Sequence, residues 1–172
     1  MFRVTFQNHI SLSQLADHKA AMLISVNGLI ISLMIAFARY STEHDGWSWS
    51  IAPVIVLIAG SMVSLFFAVI AARPRLSGSR ITVDDVRENR GNLLFFSQFT
   101  TMTLPEFQES LGVLKKDPTL LYNSLARQLY SMGKALSKKY HHLQVSYTAF
   151  LSGVSAAIVA FLVTYALTHL AR

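Results

Sequence analysis

The chain has no cysteine, which excludes a disulfide framework, a thiolate zinc site and a cysteine nucleophile. It is also short of charge. Only 14% of its residues are Asp, Glu, Lys or Arg, where a soluble domain carries about a quarter. With 52% hydrophobic residues, it is neither a disordered tail nor composed like an ordinary soluble enzyme. The G-x-x-x-x-G-K-[ST] phosphate loop, the G-x-G-x-x-G fingerprint and the H-E-x-x-H zinc helix are all missing. His141 and His142 are adjacent, so on a helix they point about 100° apart and cannot share a metal from one face. No nucleophile, base and orienting group form a set. Neither an enzyme nor a metal site is expected.

What the chain has instead is three long stretches without Asp, Glu, Lys or Arg: Ala20–Ala38, Gly46–Ala72 and Tyr140–Leu170. A bilayer core of about 30 Å needs roughly 20 helical residues. The pattern predicts a mainly α-helical membrane protein with transmembrane helices near 20–39, 50–72 and 147–169. Ala36-Phe37-Ala38 has the form of a signal-peptide cleavage site, but the first stretch exceeds the 7–15 residues or so of a signal h-region. It also contains Asn27 and follows a polar N-terminal segment.

Loop charge sets the orientation. The connection Arg39–Ser48 holds one Arg, one Glu and one Asp, whereas Arg73–Lys139 holds 11 basic and 6 acidic residues. The N-terminus and residues 73–140 are expected in the cytoplasm, the short loop and the C-terminus outside. Trp47 and Trp49 stand where an outer aromatic belt belongs. The net charge of +6 is absorbed by this topology, and nucleic-acid binding is not expected.

Small residues recur at helical spacing in each span: Ser25, Gly28 and Ser32; Gly60, Ser64 and Ala68; Gly153, Ala157 and Ala160. Such faces let helices approach closely in lipid. They serve either packing within one three-helix unit or self-association into a homo-oligomer. No ionisable group lies in the apolar part of a span, which argues against a proton pump or coupled transporter. Asn27 is the polar group that stands out, fit for an interhelical hydrogen bond or a pore lining.

Three domains are expected: residues 1–72 with the first two spans, a small cytoplasmic module at 73–140, and 141–172 with the third span. The module is too small to bury much surface alone, so packing on the N-terminal segment or on another copy is expected. Ser77-Gly78-Ser79 signals a turn. Ile81–Val86 reads as a short strand, and Asn92–Phe96 as an apolar run of undecided type. Thr103-Leu104-Pro105-Glu106 fits a capping box that opens a helix to about Lys115. Asp117 with Pro118 opens another, with no break signal before Leu170. At 1.5 Å per residue that helix would be roughly 80 Å long, a mechanical link from module to bilayer. Lys138 and Lys139 fall within reach of anionic lipid. Arg127 is too far below the membrane for headgroups, so it needs an internal acid or a bound anion.

These residues resemble a known family. Ala16-Asp17-His18-Lys19-Ala20 with Leu23-Ile24 and Asn27–Ser32 is similar to its first-helix signature, and Ala72-Arg73-Pro74-Arg75 to its second-helix exit. Asn92–Phe96 with Phe99 is similar to its central motif. Leu121-Tyr122, Leu125–Tyr130, Gly133-Lys134, Leu136 and Lys139-Tyr140 are similar to its last block. The family is the transmembrane effectors of Pycsar, the bacterial cyclase system of antiphage resistance, and the likeness spans about residues 13–150. The resemblance implies an activating ligand, cyclic UMP or cyclic CMP, made by a partner pyrimidine cyclase without direct contact. It also implies impairment of the inner membrane and abortive infection. A ligand with one phosphate and one pyrimidine wants a cation and a flat or apolar platform. Arg73, Arg75, Arg127 and Lys134 offer cations, Phe95, Phe96 and Tyr130 platforms, and Asn92 a base-edge reader. Arg73 and Arg75 otherwise mark the membrane boundary or pair with Asp17, and Phe95 and Phe96 otherwise belong to the core. Two rival functions are a non-toxic anchor that recruits a soluble partner and a membrane effector gated by another nucleotide signal.

Overall fold

The computed structural model describes residues 1–43, 47–73 and 80–170, with side chains over 1–40, 51–73 and 80–168. The side chains of Trp47 and Trp49, Pro74, Arg75 and the Ser77-Gly78-Ser79 turn lie outside that description. The described residues form six helices and no strand: α1 (Phe2–Glu43), α2 (Trp47–Ala72), α3 (Val83–Arg87), α4 (Phe96–Phe99), α5 (Leu104–Lys116) and α6 (Pro118–Leu170). Helices α1, α2 and α6 are long and apolar enough to cross a membrane. The chain divides into two compact units, Met1–Leu12 with Pro74–Ser137, and Ser13–Arg73 with Lys138–Arg172.

The first unit closes on a small apolar core. Ile81, Val86, Leu93 and Leu114 are buried, with Phe99, Met102, Phe107, Leu111 and Leu120 packed on them. The strand reading of Ile81–Val86 is corrected here. The Thr82 hydroxyl accepts from the Asp85 amide, and the Asp85 carboxylate accepts from the Thr82 amide and hydroxyl. That reciprocal cap satisfies the first donors of a helix and outweighs the strand preference of the four β-branched residues Ile81, Thr82, Val83 and Val86. Asn92–Phe96 is no strand either, but a turn leading into α4. Thr103 and Glu106 repeat the capping box at α5, and Asp117 Oδ1 accepts from the amides of Thr119 and Leu120 at the start of α6. Both capping carboxylates are held below their ordinary pKa. For Asp85 the causes are the Thr82 hydroxyl, the Thr82 amide and then Arg90. For Glu106 they are the Thr103 amide, its hydroxyl and then Arg80.

The second unit packs through small residues. Ala16, Ala20, Leu23, Ala68, Ala71 and Leu143 form its buried core. A Cβ on Gly60 would lie 2.6 Å from the Gly153 Cα, so two backbones meet where only glycine fits. Three buried polar side chains join the three helices. Asn27 Nδ2 donates to the Leu23 carbonyl at 2.8 Å and to Ser64 Oγ at 2.9 Å. Ser146 Oγ donates to the Ser64 carbonyl at 2.7 Å and lies 3.1 Å from Ser64 Oγ. With the Ser146 proton so engaged, the Ser64 hydroxyl is the donor between the two. Ala157 is buried, while Ser25 and Ser32 are exposed. At the polar end, Lys139 Nζ lies 2.6 Å from Asp17 Oδ1 and donates to Ser13 Oγ at 3.1 Å. The partner of Asp17 is therefore Lys139 rather than Arg73. Lys139 is only 20% exposed, whereas Lys138 is exposed.

Candidate ligand cleft

The first unit contains an open cleft of about 460 Å³, a volume within the roughly 300–1,000 Å³ of small-molecule sites. One wall is the start of α1. Phe2 and Phe6 are four residues apart, as are Arg3 and Gln7, so each pair shares a helix face. The facing wall is α6, with Leu125, Gln128 and Leu129, and Leu94 closes one side. The Phe2 ring is steadied by Tyr122, with centroids 6.0 Å apart. Arg3 is exposed and makes no ion pair or hydrogen bond among the described residues.

A buried amide relay stands behind the α6 wall. The Leu94 amide donates to Asn92 Oδ1 at 3.1 Å, and Asn92 Nδ2 donates to Gln128 Oε1 at 2.7 Å. The Asn92 amide itself donates to Gln98 Oε1 at 2.9 Å. Asn92 is 5% and Gln128 6% exposed. Only an oxygen can accept from the Leu94 amide, so the order of atoms through both side-chain amides is determined. The Gln128 nitrogen has no hydrogen-bond partner among the described residues.

Residues 88–92 turn back on α3. Asn89 is left-handed, with φ 55°, a conformation Asn tolerates at a helix C-terminus. Arg127 Nη2 donates to the Asn89 carbonyl. Arg127 thus sits beside the segment that carries Asn92, with a backbone carbonyl as its partner rather than an acid.

The other sequence candidates are scattered. Phe95 and Phe96 touch each other, with centroids 5.7 Å apart; Phe96 is 52% exposed and neither belongs to the buried core. Lys134 Nζ lies 5.9 Å over the Tyr130 ring, a cation–π pair on the surface. Arg73 is exposed and belongs to the second unit. Sequence reasoning passed over Phe2, Arg3, Phe6, Gln7 and Gln128. The available signal was the pair of i, i+4 repeats at the start of the chain, where Arg3 is the sole Lys or Arg before Lys19. Among the described residues no group of three His, Cys, Asp or Glu could hold a metal ion.

The chain as a whole, both units and all three membrane-length helices, can be set against known families. The model of the Pycsar effector protein domain matches residues 1–166. The chain belongs to that family. No curated protein and no solved structure matches it. This Pycsar effector is thus a component of antiphage defence, and its three apolar helices make it a multi-pass membrane protein. The cleft and the polar contact of the three spans both fall within the matched residues.

Proposed function

We propose that this effector binds a cyclic pyrimidine mononucleotide, cyclic UMP or cyclic CMP, and then impairs the bacterial inner membrane, so that the infected cell dies before phage matures. The observation that carries the reading is the Pycsar effector match over residues 1–166, in a chain that joins a ligand-sized cleft to three membrane-length helices. The nucleotide comes by diffusion from a partner pyrimidine cyclase. The protein acts on the lipid bilayer, catalyses nothing and needs no nucleic-acid polymer.

In this reading the N-terminus and residues 73–140 face the cytoplasm and the C-terminus faces the periplasm, as loop charge directs. Helix α6 carries the signal, because its residues serve the cleft at Gln128 and the membrane contact at Ser146 and Gly153. A ligand shifts the spans only by binding the leaky state more tightly. Moving a population from 1:99 to 99:1 takes about 5.5 kcal/mol, a load that several copies in a homo-oligomer share. Exposed small residues such as Ser25 and Ser32 suit contacts between copies.

The test is made in cells. Bacteria expressing the effector with a pyrimidine cyclase are challenged with phage, and plaque counts and dye entry are followed. Dye entry and fewer plaques are expected only when both partners are present. Normal growth, intact membranes and unchanged plaques would favour a scaffold that recruits a soluble partner.

A further inference from the structure

We infer that the cleft formed by Phe2, Arg3, Phe6 and Gln128 is the nucleotide site, and that it reads a carbonyl oxygen on the pyrimidine, favouring uracil over cytosine. This rests on the nucleotide reading above and adds the location and the base.

The cleft supplies each contact such a ligand requires. Phe2 and Phe6 form an apolar aromatic wall against which a pyrimidine ring can lie. Arg3 lies on the same helical turn as these rings, exposed and without a partner among the described residues. A guanidinium in that state is suited to a phosphate monoanion. Arg127 is less suited, since it already donates to the Asn89 carbonyl.

Base selection follows from the amide relay. The Leu94 amide fixes the Asn92 oxygen, Asn92 Nδ2 fixes the Gln128 oxygen, and the Gln128 amide nitrogen is left over. Gln128 lines the cleft, and since its oxygen is taken by Asn92, the polar group its side chain has to spare is a donor and not an acceptor. Uracil carries a second ring carbonyl where cytosine carries an amino group. A donor facing that edge bonds uracil and meets a second donor in cytosine, leaving two buried groups unpaired. The rigid backing by Asn92 prevents the amide from turning over to suit cytosine.

Equilibrium binding of labelled cyclic UMP and cyclic CMP to the full-length protein in detergent tests this. Wild-type protein is expected to bind cyclic UMP about 10-fold or more tighter than cyclic CMP. Arg3→Ala is expected to weaken both by about 10- to 100-fold. Gln128→Glu, which presents an acceptor in place of the donor, is expected to lose or invert the preference. Leu125→Trp narrows the cleft without touching the relay and is expected to weaken both nucleotides if Gln128→Glu fails to fold; unchanged binding to it overturns the location. A wild-type preference for cyclic CMP overturns the role of Gln128. Wild-type binding that persists within about twofold in Arg3→Ala and Gln128→Glu overturns the site but leaves the nucleotide reading standing. Failure of the wild type to bind either nucleotide overturns that reading and the site with it.

Discussion

Gly60 of α2 and Gly153 of α6 meet backbone to backbone: a Cβ built on either would stand 2.6 or 2.8 Å from the Cα of the other. No rotamer can relieve that clash, because neither neighbour is a flexible side chain. Gly60→Ala and Gly153→Ala should each cost about 1–3 kcal/mol, the range for overpacking a tight contact. Gly28→Ala is the control, with no atom within 4 Å of its Cβ, and should be neutral or mildly stabilising. Melting in detergent checks this; equal melting of all three variants would dissolve the contact.

The Asn27–Ser64–Ser146 contact holds the spans by hydrogen bonds rather than by shape. Asn27→Val should lower stability by about 0.6–2 kcal/mol, the range for interhelical bonds in lipid. A double-mutant cycle with Ser64→Ala should show coupling, since the two side chains share a bond. Strict additivity would mean that the two act separately.

Arg127 and the Asn89 carbonyl make a further test, because charge and scaffold roles differ there. As the support of the 88–92 turn, Arg127→Ala should lower the melting temperature, by a stability of about 1–3 kcal/mol. Arg127→Lys, which keeps charge but loses the planar fork, should restore only part of it. Unchanged melting together with lost nucleotide binding would instead make Arg127 a direct ligand contact.

Acid should loosen the first unit at its helix starts. Asp85 and Glu106 have folded pKa values below their ordinary ones. Such a group contributes stability that is present above its unfolded pKa and is lost as pH falls through its folded pKa. Protection of the α3 and α5 amides, measured against their intrinsic exchange rate at each pH, should therefore fall below about pH 4. Asp85→Asn and Glu106→Gln should exchange faster at neutral pH and depend less on acid. Protection in the parent protein that does not change with acid would contradict the capping roles.

The membrane helices are legible in the sequence because lipid demands a long uncharged stretch and little else competes with it. The starts of α5 and α6 are legible because Thr103, Glu106 and Asp117 each answer a fixed set of unpaired amides. Thr82 and Asp85 carry the same capping signal, obscured by the β-branched residues around them. Spacing marks only one wall of the cleft, through the i, i+4 pairs Phe2 and Phe6, and Arg3 and Gln7. Phe2 and Arg3 open the chain, and Gln128 faces them only once α1 and α6 are packed. Asn92 and Arg127 stand out in the sequence, but their hydrogen bonds to Gln128 and to the Asn89 carbonyl become visible only in the fold. The pairing of Asp17 with Lys139 likewise depends on helix packing that loop charge does not encode.

The most direct measurement is dye release from liposomes that carry the purified full-length protein, with cyclic UMP, cyclic CMP, cyclic AMP and cyclic GMP added in turn. An effector gated as proposed keeps the dye until a cyclic pyrimidine arrives, responds most strongly to cyclic UMP, and stays closed with the purines. Release that is the same with and without nucleotide, or none with any of the four, would contradict nucleotide gating of the membrane by this protein.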